Sequence, residues 1–178
     1  RVSITGKEIH SAEAPKGLNA IYLAIDVIQS IREKQADIIR HASKESEYEI
    51  PYTTLHVGSI EGGTALNIVP KYTSFMFEIR NSLKDNPAEL LEDLKVHSNG
   101  IFSKSRKNHP EADVKFDIIN QYPPLNTSNG ADIVSFVGSL TEMNDIIKVP
   151  FGTEGGLFNQ VGIPTVVCGP GSMAQGHQ

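Results

Sequence analysis

The chain has 178 residues, of which 39% are hydrophobic and 21% charged, and its formal net charge is −5 at pH 7. This composition is typical of a globular protein and excludes a wholly disordered chain. Net negative charge argues against a nucleic-acid partner, because phosphate binding needs a basic face, and no apolar run approaches the ~18 residues of a membrane helix.

The single cysteine, Cys168, excludes an internal disulfide and fits a reducing compartment. No basic and apolar leader precedes the first predicted strand, so we expect a cytoplasmic protein. Arg1 already lies within a strand-like run and the last residues stop within a loop, which suggests that the chain is a fragment.

The first part of the chain predicts a strand, a helix and a second strand. Residues 1–7 alternate in polarity, which favours a strand, and residues 17–39 carry apolar side chains at spacings of three and four, which favours a helix. Residues 52–60 are rich in strand-forming side chains and end at Gly62-Gly63. The predicted apolar face of the helix consists of Leu18, Ile21, Ala24, Ile25, Ile28 and Ile31.

The next part of the chain predicts the same order again: a strand, a helix and a strand. Residues 72–80 alternate strictly and predict a half-buried strand with Thr73, Phe75, Phe77 and Ile79 on its apolar face. Asn86-Pro87 is a helix start signal, and residues 112–119 alternate again. The complete order predicts a ferredoxin-like βαββαβ domain of the α+β class, with an antiparallel sheet and two helices on one face.

The character of the chain changes after Tyr122-Pro123-Pro124, which we interpret as a linker between a domain at 1–121 and a second portion at 122–178. This portion predicts helices over 131–140 and 154–160, and strands over 146–149 and 163–168. The last strand is apolar on both faces, which is typical of a buried parallel strand that includes Cys168. The second portion is too short for a complete α/β domain, so most of that domain is expected elsewhere.

Two loops in the second portion follow predicted strands, where ligands collect in open α/β sheets. One loop contains Gly169-Pro170-Gly171-Ser172 and leads to His177, and the other places Glu154 at a helix start. An ordinary turn with a surface histidine, and a carboxylate that stabilises the positive end of a helix dipole, are the alternative interpretations.

Three polar residues of the first domain stand near predicted turns or strand ends. His10 lies in a strand-to-helix loop, Asn67 follows Gly62-Gly63, and Arg80 ends a strand. By themselves these residues equally fit an exposed loop histidine, a turn asparagine and a surface salt bridge.

Four motifs follow one another in an order that resembles one family of enzymes. They are Gly6-Lys7-Glu8-Ile9-His10-Ser11 with Gly17-Leu18-Asn19-Ala20, Gly62 to Pro70 with Phe77-Glu78-Ile79-Arg80, Gly152-Thr153-Glu154, and Gly169-Pro170-Gly171-Ser172 through His177. Together they resemble the metallopeptidase family of acetylornithine deacetylase, succinyl-diaminopimelate desuccinylase and glutamate carboxypeptidase. Within that family the sequence around Glu154 and Gly171 is most similar to that of acetylornithine deacetylases.

The resemblance implies a hydrolase with two zinc ions, for which cobalt can substitute, that acts as a homodimer on a small N-acyl amino acid. It implies that His177 is a metal ligand, that His10 crosses to the partner's active site to stabilise the oxyanion, and that Asn67 and Arg80 hold the substrate. Glu154 and Gly171 match substrate-binding positions. The remaining ligands and the general base are expected before Arg1, so the fragment alone is expected to be inactive but dimeric.

The implied reaction converts N2-acetyl-L-ornithine and water to L-ornithine and acetate, a step of arginine biosynthesis. A related N-acyl amino acid or dipeptide hydrolase is the alternative within the same class. A non-catalytic ferredoxin-like module for binding or dimerisation is the alternative from another class, although such a module has no need for the loop from Gly169 to His177.

Overall fold

A computed structural model describes residues 1–42, 50–82, 84–141, 146–147 and 152–169 of the chain. The chain divides into two compact units, Arg1–Ile119 and Asn120–Gln178. The assignment of these parts to two domains, at 1–121 and 122–178, stays a prediction.

The first unit has the predicted order of elements. They are β1 (Val2–Thr5), α1 (Ala20–Arg40), β2 (Thr54–Gly62), β3 (Tyr72–Arg80), α2 (Pro87–Ser105) and β4 (Asp113–Phe116), with a short 3₁₀ helix at Ser11–Lys16 where a loop was predicted. All neighbouring strands are antiparallel and their order across the sheet is β2-β3-β1-β4. This confirms the ferredoxin-like α+β fold. Among the described helices, none combines the length and apolar character that crossing a bilayer requires.

The core lies between the two helices and one face of the sheet. β3 contributes the predicted alternation, since Thr73 and Phe75 are buried while Tyr72 and Arg80 are exposed. From α2, Phe102 is fully buried and joins Phe75 in the same cluster. α2 begins as predicted, because the Asn86 side chain accepts a hydrogen bond from the Ala88 N–H at 3.0 Å and Pro87 occupies the first turn.

The predicted apolar face of α1 is wrong in its centre. The residues of α1 that lie in the core are Ala20, Leu23, Ala24, Val27 and Ile31. Ile25 is instead 53% exposed, and Ile21 and Ile28 are only half-buried. The apolar stripe read from the sequence is wider than the surface that the sheet and α2 cover, so one side of it stays outside the core.

Thr53 is completely buried at the start of β2 and fixes the connection between β3 and α2. Its hydroxyl accepts a hydrogen bond from the Ser82 N–H at 2.8 Å and donates one to the Asp85 carboxylate. The Ser82 hydroxyl also donates to Asp85, at 3.0 Å. Because each buried polar atom has a partner, this network fixes the place where β2 begins.

The second unit contains α3 (Asp132–Thr141) and α4 (Gly155–Gln160), close to the two predicted helices. The predicted strand over 163–168 is wrong: these residues are not in a strand, and Ile163, Val167 and Cys168 are exposed. A strand needs a neighbour for its backbone groups, and none is present among the described residues of this unit. Of the other predicted strand, residues 146 and 147 are not in a strand, and 148–149 lie outside the described residues.

Candidate functional site

His10 caps the short 3₁₀ helix that follows β1, and its side chain is exposed. Its backbone is extended, with φ −61° and ψ 137°, and its Nδ1 accepts a hydrogen bond from the Ala12 N–H at 3.2 Å. An accepting Nδ1 carries no proton, so in the neutral ring the proton is on Nε2. The local fold therefore selects the tautomer in which Nε2 is a hydrogen-bond donor.

Asn67 lies directly beside His10. The Ser11 N–H donates to the Asn67 carbonyl at 2.9 Å, and the Val69 N–H donates to the Ile9 carbonyl at 2.8 Å. A backbone bridge between His10 and Ile68 completes this short antiparallel pairing. The structure thus brings together two of the predicted site residues, both exposed at the same end of the sheet.

A close contact of backbones supports the His10 loop. The Gly6 N–H donates a hydrogen bond to the Lys71 carbonyl at 2.7 Å. The backbones of Lys7 and Leu18 exchange two hydrogen bonds, at 2.8 and 3.0 Å. A Cβ atom at Gly6 would lie 2.1 Å from the Leu18 carbonyl oxygen, so only glycine fits there. Gly63, with φ +79°, turns the chain out of β2 toward Asn67. The glycines of the two motifs were the sequence signal for this arrangement.

Arg80 is not part of this cluster within one chain. Arg80 ends β3, whereas Asn67 lies in the loop before the start of β3, and the nine residues of that strand span roughly 27 Å. Arg80 Nε and Nη2 bind the two carboxylate oxygens of Glu78 at 2.9 and 3.0 Å. This exposed ion pair holds the guanidinium beside Glu78, while the backbone of Arg80 is paired with Thr54 on β2.

The remaining predicted site residues belong to the second unit. Glu154 is exposed at the first position before α4, and its side chain makes no capping hydrogen bond there. Its position at the N-terminus of α4 leaves the alternative role, a carboxylate near the positive end of the helix dipole, as a prediction. Gly171 and His177 lie outside the described residues. Within the described ranges, no group of three or more histidine, cysteine or acidic residues could hold a metal ion.

Gly156, two residues after Glu154, has a structural role that the sequence pattern did not predict. A Cβ atom at Gly156 would lie 1.9 Å from the Pro123 carbonyl oxygen, and the residue is buried. The paired glycines after Glu154 therefore let α4 approach the Pro123-Pro124 segment closely. The sequence shows the glycine pair Gly155-Gly156, but it does not show that Pro123 is the residue that the pair contacts.

Gln35, on α1, is a second residue whose role the sequence pattern did not predict. Its Nε2 donates to the Thr53 carbonyl at 3.1 Å and its Oε1 accepts from the Leu55 N–H. A polar residue on a helix gives no sequence signal for a contact with a distant strand.

Comparison with known proteins shows the family of this chain. The family model of the peptidase dimerisation domain matches residues 1–105. Acetylornithine deacetylase of Myxococcus xanthus is 29% identical over 177 residues, which are 99% of this chain and 45% of that protein. Acetylornithine deacetylase of Pasteurella multocida (strain Pm70) is 30% identical over 176 residues, 98% of this chain and 44% of that protein. The chain thus spans less than half the length of the curated relatives it matches.

Solved structures agree with the fold. Aminopeptidase PepT from Bacillus cereus ATCC 10987 superposes with a TM-score of 0.58 at 26% identity, over 92% of this chain and 40% of that one. AtUAH in complex with glyoxylate has a TM-score of 0.64 at 16% identity, over 90% and 36%, which supports the fold alone. From the profile match over residues 1–105 and the relatives along its length, the chain belongs to the M20 peptidase dimerisation family.

Proposed function

We propose that the chain supplies the dimerisation domain and the last catalytic segment of a metal-dependent amide hydrolase, with N2-acetyl-L-ornithine as its substrate. The names of two relatives that match nearly the whole chain support this substrate. The proposal keeps the cytoplasmic location and the role in arginine biosynthesis expected from the sequence. The observation that carries it is the pairing of the His10 and Asn67 loops, which presents a histidine donor and an amide at one end of the sheet.

The dimer in this proposal forms through the free edge of β2. β2 ends the sheet on one side, and an unpaired edge invites a further strand. α1 presents apolar residues beside it: Ile21 and Ile28 are seven positions apart and so lie on one line of the helix, with Ile25 between them. Lys34 binds Asp93 of α2 on the other side of α1, so the isoleucine line faces away from α2. A second copy is the occupant that the name of the family supports.

A two-fold axis through this edge would join the two separated halves of the site. Antiparallel pairing of β2 with its copy brings the end of one strand, Gly62, toward the start of the other, Thr54. Gly62 leads into the loop that holds Asn67, and Thr54 is the neighbour of Arg80 on β3. Adjacent strands are roughly 4.8 Å apart, so Arg80 of one copy would stand about two strand spacings from the other copy's loop. Each site would therefore take His10 and Asn67 from one subunit and Arg80 from the other.

The chemistry proposed for these residues follows from their donors and charges. The Nε2–H of His10 would donate to the oxygen that becomes negative when water attacks the amide carbonyl. The guanidinium of Arg80 would bind the substrate carboxylate, and Asn67 would bind a polar group of the same molecule. Glu154 and Gly171 are likewise proposed as substrate-binding residues.

Zinc, with cobalt as its substitute, is the proposed metal, and His177 is the proposed ligand from this chain. The described residues alone do not fit a zinc pair, since they include no three-ligand cluster. The proposal places the other ligands and the general base in the part of the relatives that this chain does not span, and predicts that the chain alone is inactive.

The test is amine release by the zinc-loaded protein that carries this chain together with the part that its relatives have before it. N2-acetyl-L-ornithine should be hydrolysed faster than other N-acyl amino acids, dipeptides and tripeptides. A preference for peptides would support the alternative of a peptide hydrolase, which the PepT likeness also favours. Absence of hydrolysis from a folded, zinc-loaded dimer would contradict the proposal and favour a non-catalytic module, as would an open reading frame that begins at Arg1.

A further inference from the structure

Gln35 binds the edge strand β2 in the way that a neighbouring strand would. Its amide N–H donates to the Thr53 carbonyl at 3.1 Å, and its amide oxygen accepts from the Leu55 N–H. A side-chain amide carries the same donor and acceptor as a peptide group. One amide of α1 therefore occupies two backbone groups at the start of β2.

The hydrogen bonds of β3 show which side of β2 these groups face. The Tyr72 carbonyl accepts from Gly63 on the β2 side, and the Lys71 carbonyl accepts from Gly6 on the β1 side. Backbone groups of alternate residues point to opposite sides of a strand, so even-numbered residues of β3 face β2 and odd-numbered residues face β1. Leu55 is opposite Ile79, an odd-numbered residue, and its N–H therefore points away from β3. Gln35 thus occupies the free edge.

The same register identifies the part of the β2 edge that Gln35 does not occupy. Val57 is opposite Phe77 and Ile60 is opposite Phe75, both odd-numbered, so their backbone groups also face outward. The register shifts between Val57 and Ser59, where Gly58 forms a bulge. Beyond this bulge, backbone groups that face away from β3 continue to Gly62, which is opposite Thr73.

The position of Gln35 on α1 explains how it reaches the edge. Gln35 follows Ile28 by seven residues, as Ile28 follows Ile21, so all three lie on the same line of the helix. The Ile21 side chain is close to Gly63, at the end of β2, and Gln35 contacts its start. This line of α1 therefore runs above the whole length of the free edge, with apolar side chains at one end and an amide at the other.

We propose that Gln35 sets the register of the dimer by closing the first positions of the β2 edge, so that a second copy pairs only along Val57–Gly62. The inference rests on the proposed dimer through β2. Without the amide, the open edge would begin at Thr53 and the two-fold axis could move toward Leu55. Gln35 is a positioning residue in this account, since the register decides how far Arg80 lies from the partner's Asn67 loop.

The experiment measures the separation of spin labels at Glu61→Cys in the two copies by dipolar EPR, in a Cys168→Ser background that removes the native thiol. Ile60 is the central outward-facing residue of Val57–Gly62 and would lie opposite its own copy, so the Glu61 backbones should lie roughly 8 Å apart. Each residue by which the axis moves toward Leu55 lengthens this separation by about 7 Å, twice the rise per residue. Gln35→Leu and Gln35→Ala should both give longer or multiple separations.

Gln29→Leu is the matched control, because Gln29 is on the same helix and binds Glu33 rather than β2. It should leave the separation unchanged, and circular dichroism should show all variants folded. One short separation that persists in both Gln35 variants would overturn the inference while the proposed dimer stands. A monomeric parent chain, or a long separation before any change at Gln35, would overturn both.

Discussion

Ser11 and Asn67 are joined by a backbone hydrogen bond of 2.9 Å, which fixes the two loops of the candidate site to each other. The contact follows from the topology. β1 and β3 are antiparallel neighbours, and Thr5 at the end of β1 is paired with Tyr72 at the start of β3. The loop after β1 and the loop before β3 therefore emerge at the same end of the sheet, where His10 and Asn67 become neighbours.

Replacing His10 tests its role as a donor. In the complete zinc-loaded hydrolase, His10→Ala should lower kcat by about 10²-fold or more, the usual scale for one oxyanion donor, with a smaller effect on KM. The measurement is steady-state hydrolysis of N2-acetyl-L-ornithine. His97→Ala serves as the control, because His97 is exposed on α2 in another part of the domain. Equal kcat values for the two variants would remove His10 from the mechanism.

Arg80→Lys tests the proposed recognition of a carboxylate. Lysine keeps the charge but loses the planar pair of donors, so KM for N2-acetyl-L-ornithine should rise by roughly 10-fold or more. A substrate analogue without the α-carboxylate separates this effect from a general loss of activity. The Arg80→Lys variant and its parent should have the same KM for that analogue. An equal rise in KM for both substrates would show that Arg80 does not bind the carboxylate.

Gly6→Ala should destabilise the first unit. Its new Cβ would meet the Leu18 carbonyl oxygen at 2.1 Å, so the backbone must shift, at a cost of about 1–3 kcal/mol in the free energy of unfolding. Gly100→Ala is the matched control, since Gly100 lies within α2 with no atom within 4 Å of the added carbon. That change should stabilise by about 0.5–1 kcal/mol. Urea unfolding of both variants checks the opposite signs.

Thr53→Val should destabilise the chain although it preserves the shape of the side chain. It removes the partner of the Ser82 N–H and of the Asp85 carboxylate in a buried network, which costs about 1–3 kcal/mol. Thr54→Val, one residue later on a half-buried strand position, should change the free energy of unfolding by less than about 1 kcal/mol. Equal urea midpoints for the two variants would mean that the network adds nothing to stability.

Local patterns predicted most of the first unit correctly. The alternation over Tyr72–Arg80 and the Asn86-Pro87 start of α2 each depend on residues close in sequence, and the structure confirms both. The ordered motifs identified the family, and their glycines pointed to the tight loops around His10 and Asn67. Which backbone or side chain each glycine accommodates, such as Leu18 at Gly6, required the structure.

The sequence by itself determined the order of elements, the ferredoxin-like fold and the family, because periodicity, capping and motif order are local properties of the chain. Only the tertiary structure decided which half of the isoleucine stripe on α1 enters the core, and that Gln35 binds the free edge of β2. It also decided that Ile163 to Cys168 is not a strand, since an apolar extended segment becomes one only when a neighbour satisfies its backbone. Burial and pairing depend on what lies opposite a residue in space, and the linear pattern does not contain that information.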